Sequence, residues 1–339
     1  MKKIFVALTI VAVLGGTAGC TSKGSSIPAG LPAPATIVES ADSLVTATGT
    51  IAGTLELPAR AFPVPLVLII AGSGPTDRNG NSPALPGSNN SLKLLASGLA
   101  ERGIASLRYD KRGIAASAKA AGREQDIRFT HYIDDARDWI QKLKSDPRFS
   151  TVTVVGHSEG SLIGMVAARE AAADGYVSLE GAGRRPRALI VEQLTGQLPP
   201  ETIAQADTIM GLMEGGTVPD STYKVPAILY ALFRPSVRPY MVSWFKYDPP
   251  AEIAKLSIPV LILQGTTDVQ VTQKDADALA AAAPGAKVVV VEGMNHVLKN
   301  APPGRAEQMP AYTDPSIPVV PRLLDALADF VKAVKRKSG

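Results

Sequence analysis

A serine flanked by small residues lies in the segment GHSEG at 156–160. A β-branched run at 151–155 precedes this segment and a helix-like run at 161–168 follows it. A sharp corner between a strand and a helix needs glycine two positions before and after the central residue, because larger side chains would clash. Such a corner exposes the serine hydroxyl above a sheet, so the pattern predicts that Ser158 is a nucleophile. In the alternative interpretation, Ser158 is only the N-cap of an ordinary helix.

Two side chains that could activate a serine lie downstream, each directly after an apolar run. Asp268 follows the run at 259–264, and His296 follows the run at 287–291. The carboxyl ends of parallel strands meet at one edge of a sheet, so we expect both near Ser158. Ser158 would attack an acyl carbon, His296 would accept and return the proton, and Asp268 would orient the imidazole. Taken singly, Asp268 could be a turn residue and His296 a loop histidine.

Acyl transfer also needs hydrogen-bond donors for the oxyanion of the intermediate. We expect the backbone N–H of Glu159, directly after the nucleophile, to be one donor. The second is expected from the glycine-rich loop after the apolar run at 65–71, from the N–H of Ser73 or otherwise of Gly72. The same loop lacks the Lys and Ser/Thr of a phosphate-binding loop and the third glycine of a dinucleotide fingerprint. No nucleotide cofactor is therefore expected.

The composition limits the remaining classes of function. The 339 residues include one cysteine and three histidines, none of them paired at helical spacing, so neither a disulfide framework nor a metal site is expected. The formal net charge is +4, and two of the basic residues are Lys2 and Lys3. Without them the excess of basic residues falls to two, which gives no argument for a nucleic-acid partner.

The N-terminus has the layout of a secretory signal. Lys2 and Lys3 precede a short apolar run at 4–14, and small residues then lead to Cys20. The end of this segment resembles a bacterial lipobox, although Thr17 stands where an aliphatic residue is usual. We therefore expect a signal peptide at 1–19, lipid attachment at Cys20, a tether at 20–35 rich in Ser, Gly, Pro and Ala, and a lipid-anchored protein in the cell envelope, in the periplasm or at the outer membrane. In the alternative, Cys20 is an ordinary small residue.

Short aliphatic runs alternate with amphipathic stretches through the rest of the chain. This rhythm predicts an α/β fold with a parallel sheet covered on both faces, and a hairpin at 45–57 on the sheet edge. The predicted strands are 65–71, 104–109, 151–156, 188–191, 259–264 and 287–291. The predicted helices are 91–101, 132–144, 161–172, 273–283 and 322–335.

The stretch at 198–247 breaks this rhythm and is rich in aromatic residues and methionine. We expect it to be a cap inserted between two parts of the core, at 36–197 and 248–339. A pocket under such a cap would lie at the strand ends. A plain helical insertion with its own small core is the alternative, and the two are compatible.

Five motifs resemble the α/β-hydrolase superfamily, and most closely the bacterial serine aminopeptidase-like carboxylesterases. They are GSGPTDRNG at 72–80, RYDKRG at 108–113, GHSEG at 156–160, GTTDVQ at 265–270 and MNH at 294–296. The resemblance implies an eight-stranded, mostly parallel sheet, a cap after the sixth strand, and hydrolysis of carboxylic esters without a cofactor. It also implies that Asp110 and Arg112 form a pair that braces a loop. Ala71 departs from the histidine that many relatives have there.

The resulting hypothesis is a serine hydrolase that cleaves small or medium acyl or aryl esters through an acyl-enzyme intermediate. An amidase or aminopeptidase and an acyltransferase remain open, because the same three side chains serve all of them. A non-catalytic lipoprotein of the cell envelope that binds ligands under its cap is the alternative from a different class. The oligomeric state stays open.

Overall fold

The computed structural model describes residues 36–220 and 223–336. The predicted signal peptide, the lipid attachment at Cys20 and the tether lie outside the described residues. Within the described ranges, no helix is both long and apolar enough to cross a membrane.

Eight strands form one sheet in the order β1-β2-β4-β3-β5-β6-β7-β8. The hairpin of β1 and β2 joins β4 in the antiparallel sense, and every other neighbouring pair is parallel. This architecture confirms the predicted α/β class and the mostly parallel sheet. The strands are β1 (Val38–Thr46), β2 (Gly49–Leu57), β3 (Val64–Ile70), β4 (Ala105–Tyr109), β5 (Phe149–His157), β6 (Gly175–Leu179), β7 (Val260–Gly265) and β8 (Lys287–Val291).

Both faces of the sheet are covered, which explains why the central strands are almost wholly apolar. In β3, Leu66, Leu68 and Ile70 belong to the hydrophobic cluster on one face. Val67 and Ile69, which alternate with them, belong to the cluster on the other face. Side chains of a strand point alternately to opposite sides, so a strand buried on both sides cannot show the usual alternation of apolar and polar residues.

The helices are distributed over the two faces of the sheet. Residues of α1 and α11 join the cluster on one face, and residues of α2 and α3 join the cluster on the other. The helices are α1 (Ser91–Glu101), α2 (Phe129–Lys144), α3 (Glu159–Glu170), α4 (Pro186–Leu194), α5 (Pro200–Glu214), α6 (Tyr230–Phe233), α7 (Arg238–Trp244), α8 (Pro249–Ile253), α9 (Gln273–Ala282), α10 (Met309–Thr313) and α11 (Pro321–Ala333).

The predicted strand at 188–191 is wrong, because these residues lie in α4. A short apolar run does not distinguish a buried strand from one turn of helix, and Pro186 at the start of α4 favours the helix. The sixth strand is β6, which the sequence prediction missed. It has only five residues and includes Ser178, whose buried hydroxyl is hydrogen-bonded to that of Ser161. A polar residue in so short a segment interrupts the apolar pattern by which a buried strand is recognised in sequence.

Helices α4 to α8 all lie between β6 and β7. Helix α4 lies before residue 198, at which the predicted cap begins, so the bounds 198–247 stay a prediction. Part of this insertion packs on the core instead of on itself: the ring of Phe129 in α2 lies 6.2 Å from Trp244 and 5.2 Å from Tyr247. The aromatic residues of the insertion therefore fix α7 against α2.

The loop after β4 is braced by two separate ion pairs. Asp110 accepts hydrogen bonds from the backbone N–H and the guanidinium of Arg78, both at 2.8 Å. Arg112 pairs with Asp135 of α2. The expectation that Asp110 and Arg112 pair with each other is therefore wrong, because their side chains find partners on different elements.

A substitution at Gly160 tests how closely α3 approaches the sheet. A Cβ atom at Gly160 would lie 2.3 Å from the carbonyl oxygen of Ile70, which is backbone and cannot move aside. We expect Gly160→Ala to lower the free energy of unfolding by about 1–3 kcal/mol, measured by urea denaturation. The control is Gly285→Ala, where a Cβ atom would meet nothing within 4 Å. Equal stability of the two variants would contradict this packing.

Candidate active site

Ser158 lies at the corner between β5 and α3, in a backbone conformation that is rare for a residue with a side chain. Its φ is 55° and its ψ is −122°. The corner closes because Gly156 and Gly160 have no Cβ: a Cβ at Gly156 would lie 2.2 Å from the carbonyl oxygen of Gly160. Ser158 is partly exposed, whereas its neighbours His157 and Glu159 are buried. The sharp corner predicted from GHSEG is present, and such strain in a folded protein points to function.

The interpretation of Ser158 as a helix N-cap gains no support. Within the described part of the chain, no backbone N–H of α3 donates a hydrogen bond to the Ser158 side chain. The hydroxyl is therefore not used to hold the helix together. It remains available for another partner.

Asp268 and His296 are brought together by neighbouring strands, as predicted. The Nδ1–H of His296 donates to Oδ2 of Asp268 at 2.6 Å, and both side chains are almost completely buried. The backbone N–H groups of Gln270 and Val271 donate to the other oxygen, Oδ1, at 2.7 and 3.0 Å. Burial of Asp268 opposes its ionisation, but the charge interaction and hydrogen bond with His296 outweigh it, so the pKa is lowered from its ordinary value. When Nδ1 carries the proton of the neutral ring, Nε2 is the nitrogen that can accept a proton.

His157 joins the loop of His296 to the corner that carries Ser158. Its Nε2–H donates to the backbone carbonyl oxygen of His296 at 2.7 Å, and the two imidazole rings lie 4.9 Å apart. Burial, reinforced by the nearby His296, lowers the pKa of His157 to about 3. His157 is therefore neutral at physiological pH and acts as a fixed donor next to Ser158, in agreement with a role inside the corner.

The loop after β3 approaches Ser158 from the opposite side. A Cβ atom at Gly72 would lie 3.1 Å from the Cβ of Ser158, so the loop passes directly beside the serine. Ser73 lines the same pocket as Ser158 and Glu159. Glu159 is the first residue of α3, where backbone N–H groups have no acceptor within the helix. The two segments that are expected to supply the oxyanion donors therefore both lie next to the serine.

Lys111, which sequence reasoning missed, holds this loop through a buried charge network. Its Nζ donates to the carbonyl oxygen of Gly72 and to Oε2 of Glu159, the latter at 3.1 Å. The hydroxyl of Tyr240 in α7 donates to the other oxygen of Glu159. In a trans peptide the C=O and N–H point in opposite directions, so holding the oxygen of Gly72 sets the direction of the Ser73 N–H. The one signal in the sequence was a lysine two residues after a buried strand.

A pocket lies between Ser158 and the insertion. Most of its walls are apolar, and α4 supplies several of them. Within the predicted cap at 198–247, Trp244 lines the pocket. The lining beyond the serine, Ser73 and Glu159 consists of Leu162, Ala182, Arg184, Pro186, Leu189, Ile190, Gln193, Trp244, Pro249 and Gln270. The apolar walls suit a hydrocarbon group better than a charged one.

Glu180 is a second buried carboxyl at this edge of the sheet, and sequence reasoning missed it. It follows β6 directly and is 0% exposed. Its Oε1 accepts a hydrogen bond at 2.9 Å from the backbone N–H of Gly265 at the end of β7. The apolar run at 188–191 resembles a sixth strand in sequence, and this resemblance hides the position of Glu180 at the end of β6.

The fold and the corner at Ser158 define an α/β hydrolase. The sequence profile of the Alpha/beta hydrolase family matches residues 67–308, and the chain belongs to this family. The resemblance of the five motifs to the α/β-hydrolase superfamily is thereby confirmed.

Among characterised proteins, the chain is similar to Esterase EstD from Thermotoga maritima, with 27% identity over 251 residues and 73% of this chain covered. The matched region spans 57% of the length of EstD. Solved structures of the same fold include Est1E from Butyrivibrio proteoclasticus, with a TM-score of 0.53, 17% identity, and coverage of 86% of this chain and 96% of Est1E. Another is the α/β hydrolase GrgF from Penicillium sp. sh18, with a TM-score of 0.58, 16% identity, and coverage of 88% of this chain and 99% of GrgF.

The lowered pKa of His157 predicts a specific dependence of stability on pH. Between its ordinary pKa of 6.5 and about 3, the unfolded chain binds a proton at this residue that the folded chain does not. The free energy of unfolding therefore falls as the pH drops below about 6.5. Gln at this position keeps a side-chain donor but cannot bind the proton. We expect His157→Gln to lose about 2 kcal/mol less stability than the wild type between about pH 7.5 and pH 5, measured by urea denaturation. Identical losses in the two proteins would show that His157 is not buried in its neutral form.

Proposed function

We propose that this protein is a serine esterase that hydrolyses carboxylic esters with small or medium acyl or aryl groups. The observation that carries the proposal is the strained, partly exposed Ser158, which opens into an apolar pocket at the edge of the sheet that also carries the buried pair of Asp268 and His296. The similarity to Esterase EstD supports ester bonds as the substrate class.

In the proposed first step, the Ser158 hydroxyl attacks the ester carbonyl carbon and gives its proton to Nε2 of His296. Asp268 holds the imidazole through Nδ1 and stabilises the imidazolium that forms. The backbone N–H groups of Ser73 and Glu159, with Gly72 as the alternative to Ser73, donate to the oxyanion. When the tetrahedral intermediate collapses, His296 returns the proton to the leaving alcohol and an acyl-Ser158 remains.

In the second step a water molecule takes the place of the alcohol. It gives a proton to His296 and attacks the acyl carbon. When the bond between the acyl carbon and Oγ of Ser158 breaks, His296 passes this proton to Oγ, and the carboxylic acid is released. Every proton moves between groups of this chain, substrate and water, so the proposed reaction requires no cofactor.

Replacement of the nucleophile tests the proposal. Ser158→Ala removes the attacking oxygen, so we expect hydrolysis of a short-chain p-nitrophenyl ester to fall by about 10³-fold or more, and labelling by a fluorophosphonate probe to disappear. Ser145→Ala, at an exposed serine that ends α2, is the matched control and should keep wild-type activity and labelling.

A Ser158→Ala protein that still hydrolyses the ester would disprove the assignment of the nucleophile. Hydrolysis of the corresponding amide, or transfer of the acyl group to an alcohol in preference to water, would favour the amidase or acyltransferase alternatives. A wild-type protein that neither turns over esters nor reacts with the probe would favour the non-catalytic alternative.

We further propose that the protein is exported and anchored in the cell envelope by a lipid on Cys20. The support is the order of basic, apolar and small residues before Cys20, which is the one cysteine of the sequence.

Expression of the full chain in a bacterium tests the anchor. The wild type should sediment with membranes and, by mass spectrometry, carry acyl chains on Cys20. Cys20→Ser lacks the thiol that forms the thioether to lipid, so it should lose the acyl mass and leave the membrane fraction. Equal membrane association of both proteins would contradict lipidation. Cleavage at another position would indicate an ordinary signal peptide.

A further inference from the structure

Glu180 is held rigidly beside the end of β7. Its backbone N–H donates to the carbonyl oxygen of Leu263 at 3.0 Å, and its Oε1 accepts from the N–H of Gly265. The residue that follows, Gly181, allows no side chain: a Cβ there would lie 2.2 Å from the hydroxyl oxygens of Ser161 and Ser178. Glu180 itself has a φ of 48°. This tight path forces the carboxyl group inward, away from solvent.

The second carboxyl oxygen, Oε2, receives no hydrogen bond from any N–H or hydroxyl among the described residues. Glu180 directly follows β6, and Asp268 lies three residues beyond the neighbouring parallel strand β7, so both carboxyl groups lie at the same edge of the sheet. The negative charge of Asp268 acts on the Glu180 carboxyl. Two carboxylate oxygens repel each other and neither can donate, so a hydrogen bond between these groups requires a proton on one of them.

The surroundings decide which of the two carboxyls holds the proton. Asp268 accepts hydrogen bonds from His296, Gln270 and Val271, which stabilise its ionised form. Glu180 accepts one, from Gly265. Burial raises the pKa of Glu180 well above its ordinary value, and the negative charge of Asp268 raises it further. Both comparisons place the proton on Glu180.

We propose that Glu180 is a positioning residue, which stays protonated and donates a hydrogen bond from Oε2 to Asp268. This proposal rests on the proposed function, in which Asp268 orients His296. The hydrogen bond would hold the carboxylate of Asp268, which in turn binds Nδ1 of His296. A neutral donor performs this task without adding a second negative charge near His296. Such a charge would raise the pKa of the imidazole, and a protonated imidazole could not act as the base.

Two substitutions at Glu180 distinguish the role of its hydrogen-bond donor from the role of its charge. Glu180→Gln keeps an oxygen for the Gly265 N–H and places an NH₂ donor where the acid proton was. Glu180→Leu keeps a similar volume but removes the donor. Asp174→Asn is the matched control, because Asp174 is also a buried carboxyl, at the opposite end of β6, and accepts a hydrogen bond from the Val152 N–H.

The kinetic experiment compares kcat, KM and the acid limb of kcat/KM from about pH 5 to about pH 9 with a short-chain p-nitrophenyl ester. We expect Glu180→Gln to keep kcat/KM within about threefold with an unshifted acid limb, since one neutral donor replaces another. Glu180→Leu should lower kcat by about tenfold with little change in KM, as expected for the loss of one hydrogen bond. Asp174→Asn should leave the acid limb unchanged.

Two kinetic results would overturn the proposal. An acid limb that moves to lower pH in Glu180→Gln would mean that wild-type Glu180 is ionised. A Glu180→Leu protein that folds and retains wild-type kcat would mean that Asp268 needs no such donor.

A spectroscopic readout keeps the proposal testable without enzyme activity. In the infrared difference spectrum of wild type minus Glu180→Gln at neutral pH, we expect the C=O stretching band of a protonated carboxylic acid. A difference spectrum that shows carboxylate bands instead would refute the protonated state. If the band is present but the wild type hydrolyses no ester, the proposed function fails while the assignment of the proton to Glu180 stands.

Discussion

The close approach of α3 to the ends of β3 and β5 is the constraint on which the site depends. Two glycines make this approach possible, and any side chain at either position would collide with backbone. The helix therefore begins directly over the sheet, and the residue between the two glycines must adopt a conformation that costs about 1–3 kcal/mol. Ser158 occupies this position, so its hydroxyl stands above the sheet and the first N–H groups of α3 lie beside it.

Buried polar groups around this corner hold the remaining parts in place, and each is neutral or paired. His157 is neutral and joins the loop of His296 to the corner. Lys111 and Glu159 form a buried pair that also holds the backbone of Gly72. Buried ion pairs contribute little net stability, because removal of both charges from water offsets most of their attraction. In this protein the pair of Lys111 and Glu159, together with His157, orients the peptide groups near Ser158.

Much of the candidate site could be predicted from the sequence, because parallel strands impose a simple rule. Each strand of such a sheet ends at the same edge, so Ser158, Asp268 and His296 could be placed together from the apolar runs before them. Helices were predicted well where an amphipathic pattern extended over several turns: α1 has the predicted bounds and α9 differs by one residue at its end. Local sequence patterns were enough to predict an element or a site residue where its position depends on nearby residues or on the order of the strands.

The rest could not be predicted, because it depends on partners far away in the chain. Strand β6 carries a serine because Ser161 of α3 satisfies its hydroxyl, and nothing near Ser178 in sequence indicates this. Without this strand, Glu180 could not be placed at the sheet edge. Its proposed role also depends on Asp268, which lies far downstream in the chain. Lys111 could not be predicted for the same reason. A lysine is expected at the surface unless its buried acceptors, Gly72 and Glu159, are known. Asp110 and Arg112 were paired with each other from a motif, whereas the fold gives each a different partner.

The walls of the pocket and the chemistry at its floor are built from different stretches of chain. Ser158, Asp268 and His296 follow strands, whereas Pro186, Leu189, Ile190 and Gln193 belong to α4, in the insertion between β6 and β7. Substitutions in α4 can therefore widen or narrow the pocket without changing the three residues that follow the strands. In the proposed function, a change of preferred acyl group would therefore require substitutions in one helix only, with Ser158, Asp268 and His296 unchanged.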